Sequence, residues 1–172
     1  MANVSEKAAK VGGRAKRAQA GFKSERGIFR RLKDEHEEVA SLMKRVVATD
    51  DATEKREWFD KVRTLLLSHS KAEEKEFYPL LLAHASTREL VEHSIDEHEQ
   101  VAQLIEELDI REVAEPDWDE SFDELMQSVD DHVEDEENDL FPRAKQVLSS
   151  EDVDAIEERF LRAKEAELER LA

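Results

Sequence analysis

The chain of 172 residues contains no cysteine. That excludes a disulfide framework, a thiolate-held zinc or iron–sulfur centre and a cysteine nucleophile, and leaves histidine and carboxylate as the means of holding a metal. Glycine is nearly as scarce. All four, at positions 12, 13, 21 and 27, lie in the first 27 residues, so the remainder is built without glycine turns. Val, Ile and Thr are few beside Leu, Ala, Glu and Lys, and no long run alternates apolar with polar residues, which argues against a sheet. No apolar stretch approaches the roughly 20 residues of a membrane span. The basic first residues are not followed by the apolar segment of a secretory signal, and the expectation is a cytoplasmic protein that does not engage a membrane.

What is present is charge and helical periodicity. Charged residues make up 41% of the chain and the formal net charge is −18. Its distribution is uneven: residues 1 to 27 hold seven Lys/Arg against two Glu, leaving 19 basic and 42 acidic residues in the remainder. A body that acidic repels nucleic acid, while the basic segment reads as a solvated arm.

The fold class expected is all-α, an up-down-up-down four-helix bundle over residues 28 to 147. Residues 1 to 27 form the arm and residues 148 to 172 a further helix packed on the bundle or on a partner. The first helix should run from about Ile28 to Ala48, with Phe29, Leu32, His36, Val39, Met43 and Val46 on one face. A second should run from Ala52 to about Ala83, carrying Trp58, Val62, Leu65, Leu66, His69 and Glu73 along one stripe and disturbed near its end by Pro79. Ser86 with Glu89 reads as a capping box opening a third helix that ends near Asp109. Pro116-Asp117 opens a fourth that reaches past Pro142, and Ser149-Ser150 opens a fifth, with Val153, Ile156 and Phe160 as its apolar stripe. Trp58 and Trp118 should both cap the core away from the histidines, with Tyr78 and Phe141 as packing aromatics.

Two stretches occur twice. Asp34-Glu35-His36-Glu37-Glu38-Val39-Ala40 returns as Asp96-Glu97-His98-Glu99-Gln100-Val101-Ala102, and His69, Glu73, Glu74, Tyr78 and Pro79 return as His132, Glu136, Glu137, Phe141 and Pro142. The offsets are 62 and 63 residues, the mark of one duplicated helical hairpin. Positions i and i+4 of a helix face the same side, so His69/Glu73 and His132/Glu136 each present an imidazole and a carboxylate to one interior point. His36 and His98 lie in the apolar stripes of their own helices. A lone histidine on an apolar face is usually a packed core residue. Four of the six histidines at equivalent repeat positions, two of them with carboxylates at i+4, point instead to a dinuclear metal site. A buried, unpaired glutamate would cost several kcal/mol, which strengthens that reading. The candidate metal ligands are therefore His36, His69, Glu73, His98, His132 and Glu136. With both glutamates shared, each metal gains two imidazoles and two carboxylate oxygens, and open coordination positions remain for dioxygen, peroxide or nitric oxide.

His84, beyond Pro79, should be exposed. His93 precedes His98 by five residues, about 140° off its face, and has no counterpart in the repeat. Glu74 and Glu137 turn about 100° from the glutamates before them, as surface acids or as partners to ligands. Ser94 and Ser128, each one turn before a ligand histidine, could orient an imidazole.

The succession His36, His69-x3-Glu73, His98, His132-x3-Glu136, with Tyr78-Pro79 and Phe141-Pro142 at fixed distance after the glutamates, resembles the hemerythrin-like HHE cation-binding family over about residues 28 to 147. The resemblance implies a non-haem di-iron centre, oxo- or hydroxo-bridged, with those six residues as ligands and Glu73 and Glu136 as the bridging pair. Oxygen-carrying hemerythrins use five histidines with a glutamate and an aspartate. The ligand set here lacks a fifth inward histidine, which turns the expectation from oxygen transport toward reaction with a small oxidant such as O2, H2O2 or NO, including peroxide decomposition. The alternatives are an iron, oxygen or redox sensor signalling to a protein partner or a second copy through the arm or last helix, and an iron-storage or ferroxidase protein. The last ranks low, since ferritin-like sites use Glu-x-x-His pairs and none of the six histidines has Glu at i−3.

Overall fold

A computed structural model describes residues 25 to 172. The arm expected over residues 1 to 27 lies almost wholly outside the described residues. Those that are described are helical apart from short connections, with no strand among them. In chain order the helices are α1 (Gly27–Ala48), α2 (Ala52–Ala72), α3 (Tyr78–Leu82), α4 (Ala85–Asp109), α5 (Trp118–Asp135), α6 (Phe141–Val147) and α7 (Ser150–Leu171). Two π-helical turns, Glu73–Phe77 and Glu136–Leu140, join α2 to α3 and α5 to α6 without a break. The fold is an all-α four-helix bundle made by α1, α2/α3, α4 and α5/α6, with α7 laid against it.

Membership of the two apolar clusters shows the up-down-up-down course. One cluster takes Phe29 and Leu32 from the start of α1, Tyr78 and Leu81 from α3, Val91 from the start of α4, and Phe141 and Ala144 from α6. The other takes Val39, Met43 and Val46 from the end of α1, Phe59 and Val62 from the start of α2, Ile105 and Leu108 from the end of α4, and Trp118 and Phe122 from the start of α5. Successive helices therefore run in opposite directions between the same two apolar ends. Between the clusters, each helix contributes buried polar side chains instead: His36, His69 with Glu73, His98, and His132 with Glu136. The polar layer is thus sealed above and below by aromatic packing, with each buried Phe or Leu contributing about 1.5–3 kcal/mol. At one end the rings of Phe59 and Trp118 meet edge-on at 5.4 Å, and at the other Phe29 meets Phe141 at 5.4 Å.

Two expected details differ. Trp58 packs against the second cluster, at the end away from the buried glutamates, but is not fully buried. It lies half-buried on the surface beneath the cations of Arg45 and Lys61, 4.7 and 4.2 Å from its ring, while Phe59, one residue on, takes the core position. The capping box at Ser86 does not form. His84 is the residue before α4, and the hydroxyl of the buried Thr87 donates to the Leu81 carbonyl at 2.6 Å, tying α4 to the end of α3. A complete capping box forms instead at Ser149 and Asp152, where α7 begins. Asp51 opens α2, accepting from the Glu54 backbone N–H at 2.9 Å.

The fifth long helix, α7, buries Ile156, Phe160 and Ala163 in the first cluster. Its approach to α1 is close enough to demand glycine. Gly27 has φ of +60°, and a Cβ there would lie 2.5 Å from Val153 Cγ1 and 3.0 Å from the Val153 carbonyl. Arg159 pairs with Glu76 at 3.1 Å, and Arg26 with Asp154 at 2.6 Å. No helix among the described residues is long and apolar enough to cross a membrane.

Candidate metal centre

The four histidines come from α1, α2, α4 and α5, and all are buried, with 5 or 6% of each residue exposed. Glu73 and Glu136 are wholly buried. Each opens a π-helical turn, closed by the backbone N–H of Tyr78 to the Glu73 carbonyl and of Phe141 to the Glu136 carbonyl. The reason lies one residue further on. Pro79 and Pro142 have no N–H to donate, and in an α-helix their rings would collide with the carbonyl four residues back. Widening the preceding turn relieves that collision, and such π turns are frequent at functional sites.

Every one of the four imidazoles is held from behind by a carboxylate. His69 Nδ1 lies 2.8 Å from Glu35, His132 Nδ1 2.9 Å from Glu97, His36 Nδ1 2.8 Å from Glu137 and His98 Nδ1 3.0 Å from Glu74. The pattern is crossed: Glu35 and Glu97 serve the second histidine of their own half, whereas Glu74 and Glu137 serve the first histidine of the other half. A carboxylate on Nδ1 places the ring N–H there and leaves the Nε2 lone pair facing inward, as a metal-binding histidine requires. The inner nitrogens lie close to the bridging candidates, His69 Nε2 at 3.3 Å and His98 Nε2 at 3.2 Å from Glu73, and His36 Nε2 at 3.5 Å from Glu136.

Four of these inward atoms, His36 Nε2, His69 Nε2, Glu73 Oε1 and Glu136 Oε2, are buried without a hydrogen-bond partner. Each such atom costs about 1–3 kcal/mol if nothing satisfies it. Nitrogen lone pairs and carboxylate oxygens orphaned around one point fit a cation. The donor atoms fall into two groups, His36, His69, Glu73 and Glu136 in one and Glu73, His98 and His132 in the other. Glu73 alone belongs to both, so the arrangement is less symmetric than the repeat.

Left to protons, the same layer polarises strongly. Burial opposes charging His69, but Glu73 and Glu35 outweigh it and hold its pKa at about 10. For His98, burial is likewise overcome by Glu73 and Glu74, and its pKa stands at about 9. Burial alone would raise the Glu73 carboxyl, yet His69 and His98 hold it well below the usual carboxylate range.

The remaining candidates separate cleanly. His84 is exposed at the start of α4. His93 is also exposed, and its Nε2 lies 3.2 Å from Glu97 and 3.4 Å from Asp135, outside the layer of buried histidines. Ser128 accepts from Gln100 at 3.4 Å and plays no part in orienting His132. Ser94 is buried but pairs with Tyr78. Glu35 and Glu97 were not singled out by facing, because each sits one residue before a histidine and about 100° round from it. They reach the histidine of the neighbouring helix, and their recurrence in both copies was the signal available.

The model of the hemerythrin HHE cation binding domain matches residues 23–144. The chain belongs to that family. Membership implies cation binding, and the clustered histidines and glutamates are the residues of this HHE domain that could form the site. Among solved structures, a hemerythrin HHE cation binding domain-containing protein from Mycobacterium kansasii superposes with a TM-score of 0.75. It is 20% identical and covers 85% of this chain and 90% of that one, a likeness of fold. Among curated proteins, a DNA nickase of Nostoc sp. (strain PCC 7120) is 27% identical over 156 residues. The match takes in 89% of this chain but only 43% of the nickase.

Proposed function

We propose that this HHE domain holds two iron ions between its four histidines and reacts with or binds a small oxidant such as O2, H2O2 or NO. The observation that carries the reading is an apolar cavity of about 20 Å3 directly against the imidazoles. Its walls include Val39, Leu65, Leu66, Val101, Val129 and Val133. A cavity needs about 10–15 Å3 to hold one water, so this one admits a molecule of two or three heavy atoms at most, and its lining favours an uncharged one. Iron held there supplies open coordination positions and one-electron redox chemistry. The chain supplies the rest. Glu35, Glu74, Glu97 and Glu137 fix the imidazoles, and the valine and leucine side chains exclude water and larger substrates. A wider cleft of about 620 Å3 between α2, α4 and the end of α7 shares Leu66, Ser70, His98 and Val101 with the cavity.

Aerobically purified protein should contain two irons per chain and show near-ultraviolet oxo-to-iron bands. One zinc per chain, or none, would defeat the reading. Peroxide turnover measured on His69→Ala and Glu136→Ala distinguishes catalysis from binding, and rates unchanged in both would reject a di-iron catalase.

One contact favours a second reading, a sensor. Lys164 of α7 lies 2.8 Å from the Glu35 oxygen that His69 does not use, which links the last helix to a ligand through a single carboxylate. Ligand state would then be reported at α7, and amide exchange in α7 that is insensitive to iron would dismiss it. DNA nicking does not follow from the Nostoc relative, because the shared part is less than half of that protein and the bundle here is strongly acidic.

A further inference from the structure

One cluster of ligand-type side chains lies outside the buried layer. His93 and Glu97, one turn apart on α4, meet Asp135 at the end of α5, and a ring nitrogen and two carboxylate oxygens lie within 4.8 Å of one another. His93 Nε2 stands 3.2 Å from Glu97 Oε1 and 3.4 Å from Asp135 Oδ2. Donors held about 2.1 Å from one ion stand about 3–4 Å from each other, so these separations suit a small divalent cation. His93-x3-Glu97 also has the His-x3-Glu spacing of His69/Glu73 and His132/Glu136.

Three such groups at a surface are more often an imidazole resting between two acids than a metal site. The two halves of the bundle differ in a way that surface pairing does not explain. Glu35 and Glu97 are equivalent, and they divide their oxygens alike, Oε2 to the buried imidazole of the neighbouring helix and Oε1 outward. On Glu35 the outer oxygen holds a cation, the ammonium of Lys164 at 2.8 Å. On Glu97 it faces His93. The residue equivalent to His93 is Arg31, which pairs with Glu157 of α7 at 3.6 Å, and the residue equivalent to Asp135 is Ala72. The second half therefore has an imidazole in place of a guanidinium and a carboxylate in place of a methyl group. It gathers donors and negative charge at the point where the first half places a positive charge.

We propose that His93, Glu97 and Asp135 form a surface site for a divalent transition-metal cation, separate from the buried layer and independent of what that layer holds. Imidazole beside two carboxylates suits zinc, iron or nickel better than calcium or magnesium, which prefer oxygen alone. Three protein donors leave the remaining positions to water, and the exposure of His93 keeps the ion exchangeable, so that desalting removes it. The ion stands behind Glu97 as Lys164 stands behind Glu35. It supplies to the carboxylate that orients His132 the charge that α7 supplies to the carboxylate that orients His69.

Zinc is the probe. The full-length protein is desalted, its resident metal is counted by elemental analysis, and zinc uptake is then followed by equilibrium dialysis. His93→Gln and Asp135→Asn alter side chains that are exposed or half-buried, and Glu97 is left intact so that the anchor of His132 is undisturbed. Each variant should bind one of the added zinc ions about tenfold more weakly than the unaltered protein, or lose it. His84→Gln, an exposed histidine at the start of α4, should match the unaltered protein. Anomalous scattering from zinc-soaked crystals should place the ion between α4 and the end of α5. Equal uptake by all four proteins would overturn the proposal, as would a loss in His84→Gln as large as that in His93→Gln, which marks adventitious binding to surface histidines. A soaked crystal without zinc at that position would overturn it as well.

Discussion

The two halves of the bundle carry the same pattern of buried histidine and glutamate in different surroundings. In the first half, the outer oxygen of Glu35 is held by Lys164, and the ring of Phe160 meets His69 edge-on at 6.0 Å, so α7 closes that side. In the second half, the outer oxygen of the equivalent Glu97 lies 3.2 Å from the exposed His93. The first half ends in Tyr78 and the second in Phe141. Duplication therefore kept the inner histidines and glutamates and their anchors, while the cover of α7 and the Tyr78 hydroxyl are found on one side. The lesson is that the sequence repeat describes the donors, and the unrepeated last helix sets how differently the two sides are insulated.

The comparison can be broken most sharply at the bridging carboxylates. Glu73 lies in both donor groups and Glu136 in one, so Glu73→Ala should abolish binding of both cations, whereas Glu136→Ala should retain about one per chain. Elemental analysis decides, and equal losses would restore the symmetric picture. Next in size is the cover itself. Phe160→Ala should cost about 3–5 kcal/mol in denaturant unfolding, as for other large buried rings, while Leu161→Ala on the outer face of α7 should stay within about 0.5 kcal/mol.

The anchors come third. Glu35→Gln and Glu97→Gln should each weaken metal affinity by about 10–100-fold in chelator competition, and Glu35→Gln should be the more damaging because it also leaves Lys164 without its charge partner. A larger loss at Glu97 would contradict the insulation argument. For protein stripped of metal, the pH dependence follows from the raised histidines. His69 and His98 bind protons more tightly folded, at about 10 and about 9, than the ordinary 6.5. Their stabilisation is full below about 6.5 and is lost as pH climbs through 9 to 10, so the melting midpoint of the stripped protein should fall across that window. The loaded protein, its imidazoles already engaged, should not follow it. The smallest effect belongs to His93→Ala, which should leave the metal content of desalted protein unchanged and stability within about 0.5 kcal/mol. A lost iron there would bring His93 back as a ligand of the buried layer.

The apolar faces and the meeting of the six donor residues were legible in the sequence because repetition and helical facing bear directly on both. His36 and His98 recur in one motif, His69 and His132 in the other, and each sits in an apolar stripe. What facing could not see was contact across helices. Glu35 lies about 100° round α1 from His36 yet is buried and reaches His69 on α2, and Lys164 reaches it from a helix outside the repeat. Trp58 and Phe59 show a different limit. Both are large and adjacent, and only the bundle geometry decides that Phe59 packs inward while the indole lies under two cations. At Ser86 the capping motif was present in letters, but the chain leaves α3 so tightly that Thr87 makes the tie instead.

The wide turn after each glutamate has one more effect. In an unbroken α-helix, Tyr78, nine residues past His69, would stand about 180° round from it, on the far side. One residue of slack in the turn takes away about 100° of that rotation and brings the ring back toward the ligands. The segment between Glu73 and Tyr78 thus acts as a phase shifter whose setting is its length rather than its composition, and the interval from Glu136 to Phe141 is the same. Substitution at its exposed positions, such as Lys75, should be absorbed, but deleting one residue would mistune everything downstream, turning an inward face outward while the histidine and glutamate before the turn stayed in place.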